Sequence, residues 1–303
     1  MPDLRHFFDH HTIPLRDWLQ HGTTWLVDHI KPFFRAVQWP VAKLLDGLAG
    51  LLHGVPVLVF LLVLLVVAWR LAGPKVAWGS VAAMLFVGFL GLWDPAMTTY
   101  AMIVTSVAFC VLTGVPLGVL AGRSDGFERA IRPVLDAMQT TPSFVYLAPI
   151  VVLFGIGTVP GVLATIIVAL PPMIRLTSLG IRQVDEELVE AGYAFGSTSR
   201  QVLWEIQLPL AMPSVMTGLN QSLMQSLSMV VMVALIGAGG LGLSVFQGIN
   251  QLDIGLAGIG GIAIVFMAIS LDRITQSAAT KRRGWMRPRA HPGGEGASED
   301  NIQ

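Results

Sequence analysis

Charge is scarce in this sequence. Asp, Glu, Lys and Arg make up 13% of 303 residues, where a soluble domain carries about 25%. With 53% hydrophobic residues and a mean hydropathy of +0.67, the deficit places the chain in the membrane class. Net charge is zero, which removes the basic field a nucleic-acid binder needs. The one cysteine, Cys110, excludes an internal disulfide and a thiolate cluster, and it reads as a small buried filler. Acidic residues are nearly absent from the apolar runs, Asp136 aside. No paired carboxylates or nucleophile–base set for an embedded enzyme are visible. Neither a repeated filter segment nor a charged ring marks an ion channel. The Gly-x-x-x-x-Gly-Lys-Ser/Thr phosphate loop is missing, so the chain supplies no ATPase site of that kind. The start, MPDLRHFFDHH, has no apolar core, and no cleavable signal peptide is expected.

What is present are long apolar runs. A membrane span needs about 20 mostly apolar residues. Candidates lie at Val55–Ala72, Val76–Trp93, Thr98–Gly122, Ser143–Gly155, Val159–Leu179, Ser214–Ala238 and Leu256–Thr275, about seven in all. The fourth is expected to extend back toward Pro133 as one helix with a polar entry. Trp69, Trp78 and Trp93 sit at span ends, as an aromatic belt places them.

Basic residues between spans give the orientation. Arg70 and Lys75, then Arg123, Arg129 and Arg132, then Arg175, Arg182 and Arg200, and finally Lys281, Arg282, Arg283, Arg287 and Arg289 lie in or near alternate connections. The intervening connections carry no Lys or Arg. The positive-inside rule puts the basic ones in the cytoplasm, with the N-terminus outside and the C-terminus inside.

Four regions follow: an amphipathic segment at 1–54, two accessory spans at 55–93, a core at 94–280 and a disordered tail at 281–303. In the first, Leu15, Trp18, Leu19, Trp25, Leu26, Ile30 and Phe33 recur at helical spacing, with Thr12 and Pro14 at the start. Pro32 and Pro40 are expected to break that helix. The segment reads either as lying in the bilayer interface or as packing on the bundle. Six of the seven histidines also fall there, and His6 and His10 share a face, but no third ligand supports a metal site.

The most informative stretch is 185–213, long for an inter-span connection. It reads as two short helices. The first begins at acidic residues suited to a helix N-terminus and carries Leu188, Ala191, Gly192 and Phe195 on one face. Gly196 stops it, Ser199 is expected to cap the second, and Pro209 is expected to close that one. The small residues Ala191 and Gly192 are expected to admit a partner closely.

Glu190-Ala191-Gly192, then Gly196, then Ile206, Leu208 and Pro209 resemble the cytoplasmic signature of bacterial ABC import permeases. That signature reads Glu-Ala-Ala, three residues, Gly, nine residues, Ile-x-Leu-Pro, and the one departure is Gly192. The segments QTTPSFVYLAPIVVLFGIGTVPGV, ALPPMIRLTSLGI and LSMVVMVALIGAGGLG are similar to permeases of the glycine betaine/proline betaine uptake systems, roughly from Thr98 to Thr275. The resemblance implies an all-α, type I ABC importer permease core in the bacterial inner membrane. It implies a second copy of the permease, two cytoplasmic ATPase subunits holding ATP and Mg, and an extracytoplasmic substrate-binding protein. It implies that the loop seats on the ATPase, and it carries a quaternary amine osmoprotectant as substrate class. Same-class permeases for choline, carnitine, sulfonates, nitrate or methionine remain the alternative.

Polar residues inside a span normally face a cavity or the bundle interior. Asn220, Gln221, Gln225 and Ser228 crowd the sixth span, with Met224 and Met232 as a yielding gate. Gln221, Gln225 and Ser228 fall on one face. They read either as pathway lining or as interhelical hydrogen bonds. Phe144 and Tyr146 are aromatic candidates for a cationic headgroup. Pro171 and Pro172 mark a kink beside Arg175.

Overall fold

The computed structural model describes the backbone of residues 15–285, and every regular element among them is helical. The helices are α1 (Leu15–Gly54), α2 (Val57–Ala72), α3 (Pro74–Phe89), α4 (Trp93–Arg123), α5 (Asp125–Thr140), α6 (Leu147–Phe154) and α7 (Thr158–Arg182). They are followed by α8 (Glu186–Ala194), α9 (Ser199–Gln201), α10 (Leu208–Ala234), α11 (Leu241–Asn250) and α12 (Ile254–Trp285). His6, His10, Thr12, Pro14 and the tail beyond residue 285 lie outside the described residues. The helix α12 itself runs to Trp285, past the point where a disordered tail was expected to begin.

Among the described residues, three helices are long and apolar enough to cross a bilayer: α4, α7 and α12 from Ile254 to Ser277. The number rises to five if each of two bent pairs is one span. The expected sixth span corresponds to α10, whose central amides lower its hydropathy. The expected second corresponds to α3, only 16 residues long and so about 24 Å at 1.5 Å per residue.

Two expectations about helix breaks are corrected. Pro32 and Pro40 do not interrupt α1, which runs unbroken for 40 residues. An internal proline costs roughly 3 kcal/mol. Directly after Pro40 and one turn further on, Val41 and Leu45 are buried against residues of α4, α6 and α7. Burial of such side chains contributes about 1.5–3 kcal/mol each and offsets the proline. The real break comes at Val55–Pro56, where α2 leaves the preceding helix at 110°.

The fourth expected span is likewise not one straight helix. The chain turns by 105° between α5 and the Ser143–Phe154 segment. Pro142 disfavours helical backbone at Thr141, which is extended (φ −72°, ψ 127°). The Tyr146 hydroxyl then donates back across the turn to the Met138 carbonyl at 3.0 Å. The bend is sequence-encoded and hydrogen-bonded.

At the centre, α4 packs on α7 through glycines. A Cβ on Gly114, Gly118 or Gly122 would lie within 3 Å of Met173, Thr177 or Ile181 respectively. The contacts step by four residues on both helices, the small-residue packing that brings membrane helices close without a hydrophobic driving force. Across the other face of α7, Ser222 of α10 donates to the Ala169 carbonyl at 2.7 Å. The prolines Pro171 and Pro172 are buried inside α7, which stays helical through them.

Candidate coupling element and translocation face

The segment after α7 is capped at every joint. Asp185 accepts the Glu187 amide and starts α8, with Glu186 and Glu187 at the positive end of the dipole. Gly196 (φ +84°) ends it in a Schellman turn. The Ser197 amide reaches the Gly192 carbonyl at 3.1 Å and the Gly196 amide reaches that of Tyr193 at 2.9 Å. The second helix is capped by Thr198, not by Ser199 as expected. Thr198 and Gln201 form a reciprocal capping box, the Thr198 amide donating to Gln201 Oε1 at 2.8 Å. Ser199 instead receives a hydrogen bond from the Arg123 guanidinium at the end of α4.

Pro209 does not close this second helix. The chain passes from α9 through a π-helical turn, Val202–Gln207, straight into α10. The Leu208 amide bonds five residues back, to Leu203. That wider turn absorbs the amide that proline lacks, and Pro209 takes a place at the start of α10, where a missing N–H is tolerated. Anything that pushes the helix pair therefore pushes the end of α10.

The signature residues divide by side. Gly192 is buried, and a Cβ there would lie 2.6 Å from Ile206 Cδ1 and 3.4 Å from Val202. The close approach expected of a partner is thus made by the chain's own second helix. Glu190, Ala191, Gly196 and Pro209 are exposed, and Ile206 and Leu208 are half-buried. Leu188, Tyr193, Phe195 and Trp204 form the outward apolar surface, Phe195 at 90% exposure. Tyr193 and Trp204 escaped the sequence reading, although an aromatic in a polar loop is itself a signal of contact.

The α10 stripe is real as geometry. Gln221, Met224, Ser228 and Met232 are exposed along one side of the chain, and Gln225 beside them is half-buried. Asn220 turns the other way. Its amide reaches Asp272 Oδ1 of α12 at 3.3 Å, and Thr275 Oγ1 lies 2.7 Å from its oxygen. Asp272 is met by Asn220 and by Gln276 (2.7 Å) rather than by its neighbour Arg273. Phe144 is exposed in the turn before α6, and Tyr146 is half-buried with its hydroxyl committed to the bend. Among the described residues no group of three or more metal-ligating side chains occurs.

The family model of the binding-protein-dependent transport system inner membrane component matches residues 114–281, which include the glycine-packed helices, the helix pair and α10. The chain belongs to this family. As a member, the permease is 48% identical over 287 residues to the glycine betaine/proline betaine transport system permease protein ProW of Escherichia coli (strain K12). That match covers 93% of this chain and 81% of the relative. It is 41% identical to the glycine betaine transport system permease protein OpuAB of Bacillus subtilis (strain 168), covering 89% and 96% respectively. These similarities reach well beyond Thr98–Thr275. In structure the permease resembles an inward facing MetNI methionine ABC transporter with a TM-score of 0.56. That match covers 67% of this chain and 98% of that one at 21% identity. The shared fold is that of a type I import permease.

Proposed function

We propose that this permease subunit carries glycine betaine, proline betaine or a related quaternary amine into the cell, driven by ATP hydrolysed on separate subunits. The observation that carries the reading is the 48% identity to a betaine permease along almost the whole chain. The Asp185–Gln207 helix pair supplies a rigid, outward-facing apolar surface, suited to dock in an ATPase groove on the cytoplasmic side. Two ATPase subunits hold ATP and Mg, a second copy of the permease completes the pathway, and an extracytoplasmic binding protein delivers substrate. The N-terminus then lies outside and the C-terminus inside, as the basic connections imply. The exposed Gln221–Ser228 side of α10 faces that second copy across the pathway, because amides on a spanning helix are expensive against lipid.

The test is uptake of labelled glycine betaine by vesicles reconstituted with the permease, its ATPase and its binding protein. ATP-dependent uptake needing all three is expected. Uptake of another solute but not of any betaine overturns the substrate assignment.

A further inference from the structure

Beside the helix pair, α5 and α7 part to leave a cleft of about 300 Å³. Its floor is apolar, built by Ile131, Leu135 and Ile174, and its mouth carries Arg132, Arg175, Arg182 and Glu128. Polar mouth and apolar floor together fit an amphiphile better than a free ion.

Of the charges at the mouth, one arginine stands open and two are held in exchangeable pairs. Arg175 pairs with Asp136 at 2.5 Å, and Arg182 with Asp125 at 2.7 Å and Glu128 at 2.8 Å. All these side chains are roughly a third exposed or more, so each pair is weak and exchangeable. Arg132 is exposed, and among the described residues it has no ion-pair or hydrogen-bond partner. With their partners counted, three arginines face three carboxylates, and Arg132 is the charge of this cluster that no carboxylate meets.

A second observation points inward. Ser178 lines the cleft, is 6% exposed, and its hydroxyl has no hydrogen-bond partner. Buried hydroxyls elsewhere in the bundle find the carbonyl one turn back, as in Thr165 to Gly161 at 2.9 Å and Ser226 to Ser222 at 2.9 Å, whereas Thr177, beside Ser178 but facing α4, is unpartnered as well. A buried hydroxyl left open in this way costs about 1–3 kcal/mol. Rotation of the side chain toward the cleft would let a ligand oxygen relieve it.

We propose that this cleft binds the phosphodiester headgroup of an anionic phospholipid, with Arg132 and the two paired arginines around the phosphate and Ser178 donating from the floor. Its place in the inner leaflet rests on the orientation proposed above. Basic pockets between helices at the cytoplasmic face are suited to such headgroups.

The experiment is native mass spectrometry of the full-length permease in detergent. It is titrated with dioleoyl-phosphatidylglycerol, with dioleoyl-phosphatidylcholine, and with glycerol 3-phosphate as the soluble source of the same phosphate chemistry. The variants are Arg132→Gln, which breaks no contact seen in the structure, Ser178→Ala, and Lys75→Gln as a remote control. Phosphatidylglycerol is expected to bind roughly fivefold more tightly than phosphatidylcholine, and Arg132→Gln to remove roughly that factor. Ser178→Ala lowers binding by a smaller factor, Lys75→Gln leaves it unchanged, and glycerol 3-phosphate does not compete. Equal binding of the two lipids, or wild-type binding by both cleft variants, overturns the site. Competition by glycerol 3-phosphate overturns the lipid as its occupant. None of these results depends on betaine uptake, so the site and the transport reading fail separately.

Discussion

Gly192 and Ile206 meet so closely that a methyl group on Gly192 would lie 2.6 Å from Ile206 Cδ1. The permease signature carries alanine at this place, so the glycine records how tightly the two helices of the Asp185–Gln207 pair are pressed together here. Ile206 Cδ1 is the tip of a flexible side chain, and it can move by a rotamer. Gly192→Ala is therefore expected to insert and transport, while Gly192→Leu overpacks the pair by about 1–3 kcal/mol. Thermal unfolding in detergent checks the difference, and Ile206→Val is expected to rescue Gly192→Ala if any stability is lost.

The glycines of α4 are less forgiving. A Cβ on Gly118 would stand 2.5 Å from Thr177 Cβ and 2.8 Å from the Ile174 carbonyl. A backbone carbonyl cannot step aside, so Gly118→Val is expected to force α4 and α7 apart at a cost of at least about 1–3 kcal/mol. The readout is a lowered melting temperature and reduced yield of monodisperse protein, with Gly258→Val on α12, which meets nothing within 4 Å, as the comparison.

Asp272 joins α12 to α10 through Asn220. Asp272→Leu leaves the Asn220 amide without its acceptor and is expected to destabilise by about 1–3 kcal/mol. Adding Asn220→Leu removes the orphaned amide, so the double variant is expected to be more stable than the sum of the single changes. Strict additivity in the cycle contradicts a direct interaction.

The single cysteine offers a clean topological probe. Cys110 is buried, so the native chain is expected to resist maleimide while folded. A cysteine placed by Phe195→Cys, at a position 90% exposed, is expected to react with a membrane-impermeant maleimide in inside-out vesicles only. Bound ATPase is expected to protect it. Labelling from the outside reverses the orientation, and labelling undiminished by the ATPase removes Phe195 from the docking surface.

The sequence was most legible where local chemistry decides. Asp185 and Gly196 mark the first helix of the pair, and Ser199 the start of the second, within a residue of where they lie, because caps and positive-φ turns are written in single residues. The α10 stripe was readable for the same reason, since polar side chains in a span are conspicuous. Tertiary context decided the rest. Pro40 stays helical because Val41 and Leu45 are buried beyond it, and Pro209 is absorbed by a π turn that no propensity announces. The spacing Gly114-x-x-x-Gly118-x-x-x-Gly122 went unread in the sequence, because its partner face on α7 emerges only when the helices are placed. Asn220 looked like Gln221 in sequence, and one step of about 100° around the helix separates the two.

The central claim is that the Asp185–Gln207 pair transmits ATP hydrolysis into movement of α10. It is tested most directly by measuring betaine uptake and ATP hydrolysis in the same reconstituted vesicles for wild type, Gly196→Asn and Gly196→Val. Gly196 sits at φ +84°, where asparagine is tolerated and a β-branched residue is strained by about 1–3 kcal/mol. Gly196→Val is expected to insert and to allow hydrolysis while uptake per ATP falls by roughly tenfold, the equivalent of about 1.4 kcal/mol. Gly196→Asn is expected to stay near wild type. Uptake per ATP unchanged in Gly196→Val contradicts the claim.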